Sequence, residues 1–171
     1  MDDSFHEMIV KARITSNDRL KMAGLVLLGL VLLFLVILFG GYLGSLSVLV
    51  LAALGYGLFY LLRGFAREYE YTITNGDLDI DLIIAQRKRR RVFSGLARTF
   101  DSMEPMEKQP AASAQTEKAG TVIDCRSSQS HGVDYKIRTD YNGKPVIVLF
   151  SPDEKIVNQL KKYNPGRIRL G

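Results

Sequence analysis

Hydrophobic and polar positions fall into two regimes along this chain. From Met22 to Leu62, 41 residues, no charged side chain occurs and apolar residues run almost without period. One helix of that length would extend roughly 60 Å. The hydrocarbon core of a bilayer is about 30 Å thick and is crossed by about 20 residues, so two passes fit where one does not. Phe39-Gly40-Gly41-Tyr42-Leu43-Gly44-Ser45 is the natural break, since three glycines and a serine cluster there. The pattern predicts antiparallel helices over 22–39 and 45–62, with Ser16, Asn17 or Asp18 capping the first. Gly24, Gly29, Ala53 and Gly57 offer close helix packing, although glycine is also simply frequent in membrane helices. Tyr42, Tyr56 and Tyr60 stand where interfacial anchors would be.

The first 21 residues read as a leader. Ser4-Phe5-His6-Glu7 has capping-box spacing, and Phe5, Met8, Ile9 and Ala12 share a helical face. A short helix on the membrane surface and an unstructured segment are both open there.

After Arg63 the period becomes two. Tyr69, Tyr71 and Ile73 lead to Asn75-Gly76, and Leu78, Ile80 and Leu82 return. Asn-Gly favours a two-residue hairpin turn with positive φ. The implied register pairs Ile73 with Leu78, Tyr71 with Ile80 and Tyr69 with Leu82 on one face. The opposite face sets Glu70 against Asp81, which repel unless a cation lies near. A second hairpin, around Asn142-Gly143, pairs Tyr135 with Phe150, Ile137 with Val148 and Thr139 with Val146. Between the hairpins, Val92-Phe93, Leu96 to Phe100 and Thr121 to Cys125 are expected as three short strands, and 104–120 as a flexible loop rich in Pro, Ala, Ser and Gln. Ser151-Pro152-Asp153-Glu154 then opens an amphipathic helix, with Ser151 as the expected N-cap. Ile156, Val157, Leu160 and Tyr163 form one face of it, and Asn164-Pro165-Gly166 ends it.

Charge refines this picture. The chain carries +5, and the part after Arg63 carries +4. Removing the run Arg87, Lys88, Arg89, Arg90, Arg91 leaves that part at −1, so the basic character is local and not that of a nucleic-acid binder. Lys11, Arg13, Arg19 and Lys21 precede the apolar region, Arg63, Arg67 and the run follow it, and the turn has no basic residue. Both ends are therefore expected on the cytoplasmic side of the cell membrane, with two spans. A cleaved signal peptide fits poorly, because the apolar region is too long and no Ala-x-Ala site follows it.

Candidate chemistry is sparse. His6 and His131 are the two histidines, no H-x-x-x-H or C-x-x-C spacing occurs, and the single cysteine, Cys125, falls within an expected strand. A lone cysteine excludes an intrachain disulfide. Asp77, Asp79 and Asp81 lie on one strand face roughly 7 Å apart, which suits a solvated face better than a calcium loop. Catalytic, metal and cofactor residues are expected to be none. Two readings of the basic run stand side by side. In one, Arg87 to Arg91 contact anionic lipid headgroups; in the other, Arg87, Arg89 and Arg91 share a face and neutralise Asp79, Asp81 and Glu70.

About seven antiparallel strands followed by one amphipathic helix resembles a pleckstrin-homology (PH)-like domain of bacterial membrane proteins. The stretch Glu70 to Asp81, the basic run ending in Val92-Phe93, and Phe150-Ser151-Pro152-Asp153-Glu154-Lys155 are similar to an uncharacterised family of small bacterial membrane proteins in which a two-helix hairpin precedes such a domain. The resemblance implies an α+β membrane protein: a transmembrane helical hairpin, then a PH-like antiparallel β-barrel or sandwich over 63–171. It carries no catalytic residues with it. The expected function is a non-enzymatic, membrane-anchored module. Its expected partners are membrane lipids and a protein partner or a second copy, met at a strand edge or through the 104–120 loop. Sensing of anionic headgroups is the alternative, and a transporter or an accessory subunit of an enzyme ranks last because two uncharged helices make no polar pathway.

Overall fold

A computed structural model describes residues 5–106, 121–129 and 132–169. Among these residues, eight strands and three α-helices follow one another as β1 (Phe5–Lys11), α1 (Ser16–Leu43), α2 (Leu46–Arg63), β2 (Arg67–Thr74), β3 (Asp77–Ile84), β4 (Lys88–Leu96), β5 (Ser102–Pro105), β6 (Thr121–Asp124), β7 (Tyr135–Tyr141), β8 (Lys144–Phe150) and α3 (Glu154–Tyr163). They form two compact units. One holds the residues up to Arg13 together with those from Glu68 onward, and the other is Ile14–Arg67.

The helical unit turns at Gly44-Ser45, inside the glycine-rich break. Both helices are long and apolar enough to cross a membrane. α1 begins earlier than the apolar pattern suggests, and Thr15, not Ser16, Asn17 or Asp18, is its N-cap residue. A Cβ on Gly29 would stand 2.9 Å from Leu58, whereas Gly24 and Gly57 face open space, so of these glycines Gly29 marks the close approach.

In the other unit, sheet one has the order β1-β2-β3-β4 and sheet two the order β5-β7-β8-β6. The expected leader helix gives way to strand β1, antiparallel to β2 from Phe5 opposite Thr74 to Lys11 opposite Glu68. Its true period is two: Val10 and Ala12 are buried and Met8 packs against the core, while Phe5 and Ile9 are exposed. The helices are thus an insertion between two paired strands, and with β1 the described strands number eight, close to the about seven expected.

The Asn75-Gly76 and Asn142-Gly143 turns form with positive φ at all four residues. The β7–β8 register pairs Tyr135 with Phe150, Ile137 with Val148 and Thr139 with Val146. Lys88 to Arg91 of the basic run belong to a longer β4, and Arg87 lies in the turn before it. The strand expected over Leu96 to Phe100 is instead a 3₁₀ turn at Ala97–Thr99, and β5 follows at Ser102–Pro105. Most of the expected 104–120 loop lies outside the described residues, and its first two residues belong to β5. β6 runs parallel to β8.

The two sheets face each other over a core that includes Tyr71, Ile73, Leu78, Ile80, Phe93, Phe100, Ile137, Val148 and Phe150. Tyr71 meets Phe150 edge to face at 5.6 Å. They remain separate sheets, joined at one corner where Ala12 bridges Ser127 and Ser128 N–H donates to Lys11 C=O at 2.8 Å. Helix α3 adds Ile156, Val157 and Leu160 to the core. Its N-cap is Asp153, whose Oδ1 accepts from Ile156 N–H at 2.8 Å. Ser151, the expected cap, is two residues too early. Its hydroxyl instead accepts from Ser127 N–H at 2.9 Å and donates to Asp134 at 2.5 Å.

Candidate functional site

Sheet one has two ends. At one lies the Asn75-Gly76 turn, with Phe5 of β1 opposite Thr74. At the other, Lys11 stands opposite Glu68, the chain leaves β1 for α1 and returns from α2 into β2, and β3 meets β4 with Ile84 opposite Lys88. The basic run therefore sits at the sheet end from which the helices are strung. The linkers are short: 12–15 on one side and 64–66 on the other.

The β3–β4 connection is a tight one. Ala85 and Gln86 both take left-handed φ values, 51° and 56°, and Arg87 N–H donates to Ile84 C=O at 3.1 Å. Non-glycine residues adopt this conformation at a cost of about 1 kcal/mol or more each. The turn uses up Arg87, so the expected alternation of Arg87, Arg89 and Arg91 along a strand begins only at Lys88. All five side chains from Arg87 to Arg91 are exposed.

Their electrostatic settings divide them. Arg91 Nη1 lies 2.6 Å from Asp79 and its Nε 2.5 Å from Asp81. A register shift between Ile80 and Asp81 sets Asp81 opposite Arg91, which makes this geometry available. Arg89 Nη2 reaches 2.8 Å from Glu70, whose side chain is 3% exposed. Burial in the first place, and then a hydrogen bond to the Glu7 side chain, push the Glu70 carboxyl above its usual range, while Arg89 pulls it back. The repulsion between Glu70 and Asp81 is thus relieved by cations from β4. Arg87, Lys88 and Arg90 make no ion pair among the described residues.

Elsewhere the side chains serve the fold. Asp79 and Asp81 are engaged with Arg91, and among the described residues no group of His, Cys, Asp and Glu is arranged to hold a metal ion. His6 binds Asp153 at 2.7 Å, and His131 lies outside the described residues. Burial pulls Asp124 upward, but the side-chain and backbone N–H groups of Arg126 outweigh it and hold the carboxyl below its ordinary value. Cys125 is fully buried, and burial pushes its thiol up to about 12. At neutral pH it is therefore a protonated core side chain. Maleimide is expected to leave the folded full-length protein unlabelled at neutral pH and to react on denaturation. Prompt labelling of the native protein would mean that the segment around 124–128 opens.

Sequence reasoning missed the corner where β1 ends. Arg13 donates to Ser127 C=O at 2.7 Å and to Asp134 at 2.8 Å, and Asp134 in turn accepts from Ser151. The signal was present in the alternation of Met8, Val10 and Ala12, but a helical face competed with it.

The model of the bacterial PH-like domain family DUF6106 matches residues 2–170. The chain belongs to this family. The match takes in both helices as well as β1, so the helical insertion lies within the family's span. No curated protein and no solved structure matches this chain.

Proposed function

We propose that this member of the bacterial PH-like family is a non-enzymatic, membrane-anchored module that holds anionic lipid headgroups at the cytoplasmic surface through Arg87, Lys88 and Arg90. The observation that carries this reading is the division of the basic run. Arg89 and Arg91 are paired with carboxylates, whereas these three cations are exposed and, among the described residues, without an ion pair at the sheet end from which both helix linkers leave. The β1–β2 pairing ties both ends of the helical hairpin to one domain, so a membrane crossed by α1 and α2 has β1 and the rest of the domain on one side. The basic flanks make that side the cytoplasmic one. Each basic side chain near an anionic surface contributes about 1 kcal/mol.

The test uses the full chain in nanodiscs with Gln86→Cys carrying an environment-sensitive fluorophore. Phosphatidylglycerol should draw the label toward the interface, and added salt should weaken this. Arg87→Gln, Lys88→Gln and Arg90→Gln together should reduce the contact about a hundredfold. An identical signal in phosphatidylcholine discs would sink the reading.

A second reading, a protein partner or second copy, draws support from the helices. α1 and α2 leave an apolar cleft of 340 Å³ between them, lined by residues that include Leu25, Gly29, Leu33, Ala53, Gly57 and Leu61. Cross-linking in the native membrane separates the two: a stoichiometric protein adduct favours the partner, and self-links through Ala53 or Gly57 favour the second copy.

A further inference from the structure

We propose that Glu70 is a proton-sensitive mask on Arg89, so that acidification releases a fourth cation into the headgroup contact. This rests on the headgroup reading above and adds its regulation.

The geometry is asymmetric. Glu70 stands on β2 opposite Ile9, with its side chain 3% exposed, whereas Arg89 is 60% exposed and held to it at 2.8 Å. Arg89 is thus a surface cation whose charge is cancelled by a carboxylate that water hardly reaches. Every neighbouring strand presents charge to this carboxylate. β1 brings Glu7, whose side chain shares a hydrogen bond with it, and β3 brings Asp81. β4 brings Arg89, while Arg91 is occupied by Asp79 and Asp81. Glu68, next along β2, lies opposite Lys11. Two carboxyl groups in hydrogen-bond contact share one proton more readily than they both ionise. Glu70 is the buried member of that pair, and its proton affinity is raised above the ordinary 4.5.

When Glu70 takes a proton it can still bond to Glu7, but Arg89 loses its counter-charge. Glu7 replaces it only in part, because it reaches the site from β1, the outer strand opposite β4, and stands one carboxyl farther from Arg89 than Glu70 does. Arg89 then joins Arg87, Lys88 and Arg90 at the same sheet end. Proton uptake and headgroup binding must reinforce each other by linkage. An anionic surface at about −30 mV helps, since it concentrates protons about threefold.

The experiment uses the labelled full chain, with Cys125 buried and unreactive, in phosphatidylglycerol-containing and phosphatidylcholine nanodiscs from about pH 8 to about pH 4. In anionic discs the contact should strengthen about fivefold as pH falls, with a midpoint above 4.5. Glu70→Gln should give the acid-state signal throughout, and Arg89→Gln should give no rise. Glu7→Gln, a change at an exposed side chain, should move the midpoint to lower pH, which loss of a purely structural contact would not do. A response that is flat with pH while the anionic lipid still matters, or a Glu70→Gln protein with the wild-type slope, overturns the mask and leaves the headgroup reading standing. No difference between disc types at any pH overturns both.

Discussion

Residues 64–171 produced alone should fail to fold cooperatively, although they contain seven of the eight described strands and α3. Removing β1 strips Val10 and Ala12 from the core and opens one side of β2, where Tyr71 and Ile73 are fully buried. It also removes the corner bond from Ser128 to Lys11 and the contact of His6 with Asp153. A buried valine contributes about 2 kcal/mol, and each ladder hydrogen bond about 1 kcal/mol net. The loss is on the order of 5 kcal/mol, comparable to the whole stability of a small domain. A contrasting protein should fold in water: residues 1–12 joined by a two-residue Asn-Gly turn to 67–171. Lys11 and Glu68 are already opposite each other, so the turn spans what the helices now span. Urea denaturation and amide dispersion in NMR spectra distinguish the two. Cooperative unfolding of 64–171 by itself would show β1 to be dispensable and would undo the account of the helices as an insertion.

That insertion explains why some parts of this molecule were legible in its sequence and others were not. The second hairpin could be read to the residue because everything that fixes it is local: Asn142-Gly143 sets the turn, and alternation sets the face. β1 could not be read, because its partner lies beyond two membrane-length helices and its residues satisfy a helical face almost as well as a strand face. β6 was legible as a strand, expected over Thr121 to Cys125, but its partner was not, since pairing parallel to β8 leaves no turn signal between them. Local chemistry also misled where a distant group competed for it. Ser151 has good capping-box spacing, but its hydroxyl is taken by Ser127 and Asp134, so the cap passes to Asp153.

The basic run lies between these cases. Alternation anticipated that arginines of this strand would answer Asp79, Asp81 and Glu70, and Arg89 and Arg91 do so. It did not anticipate that the turn at Ala85-Gln86 would remove Arg87 from the ladder. The burial of Glu70 was equally invisible, since a glutamate flanked by tyrosines on a strand reads as a solvated position. The sheet has four strands because β1 is present, and β1 is also what brings Glu7 against Glu70.

Gly76→Ala should be the most damaging single methyl addition in the described part of the domain. Gly76 has φ +86°, and a Cβ there would lie 2.5 Å from Cγ of Tyr163. The ring cannot swing away freely. Arg98 stacks over it at 5.7 Å, and the next residue, Asn164, donates to Ala97 C=O and Phe100 C=O at 2.9 and 3.2 Å. Gly76 C=O itself accepts from Ala97 N–H at 2.7 Å, so the hairpin turn, the 3₁₀ turn and the end of α3 form one packed unit. Positive φ costs alanine about 1 kcal/mol, and forced overpacking adds about 1–3 kcal/mol. Gly143→Ala is the control, because Gly143 has φ +74° but no atom within 4 Å of the new methyl, so only the conformational cost remains. Denaturant titration of the full chain in detergent should therefore place Gly76→Ala about 2 kcal/mol below Gly143→Ala. If the ring contact is responsible, Tyr163→Ala in the Gly76→Ala background should recover part of the difference, and the double-mutant cycle should show a coupling of about 1 kcal/mol or more. Equal losses at the two glycines would mean that the turn, and not its seat against α3, sets the cost.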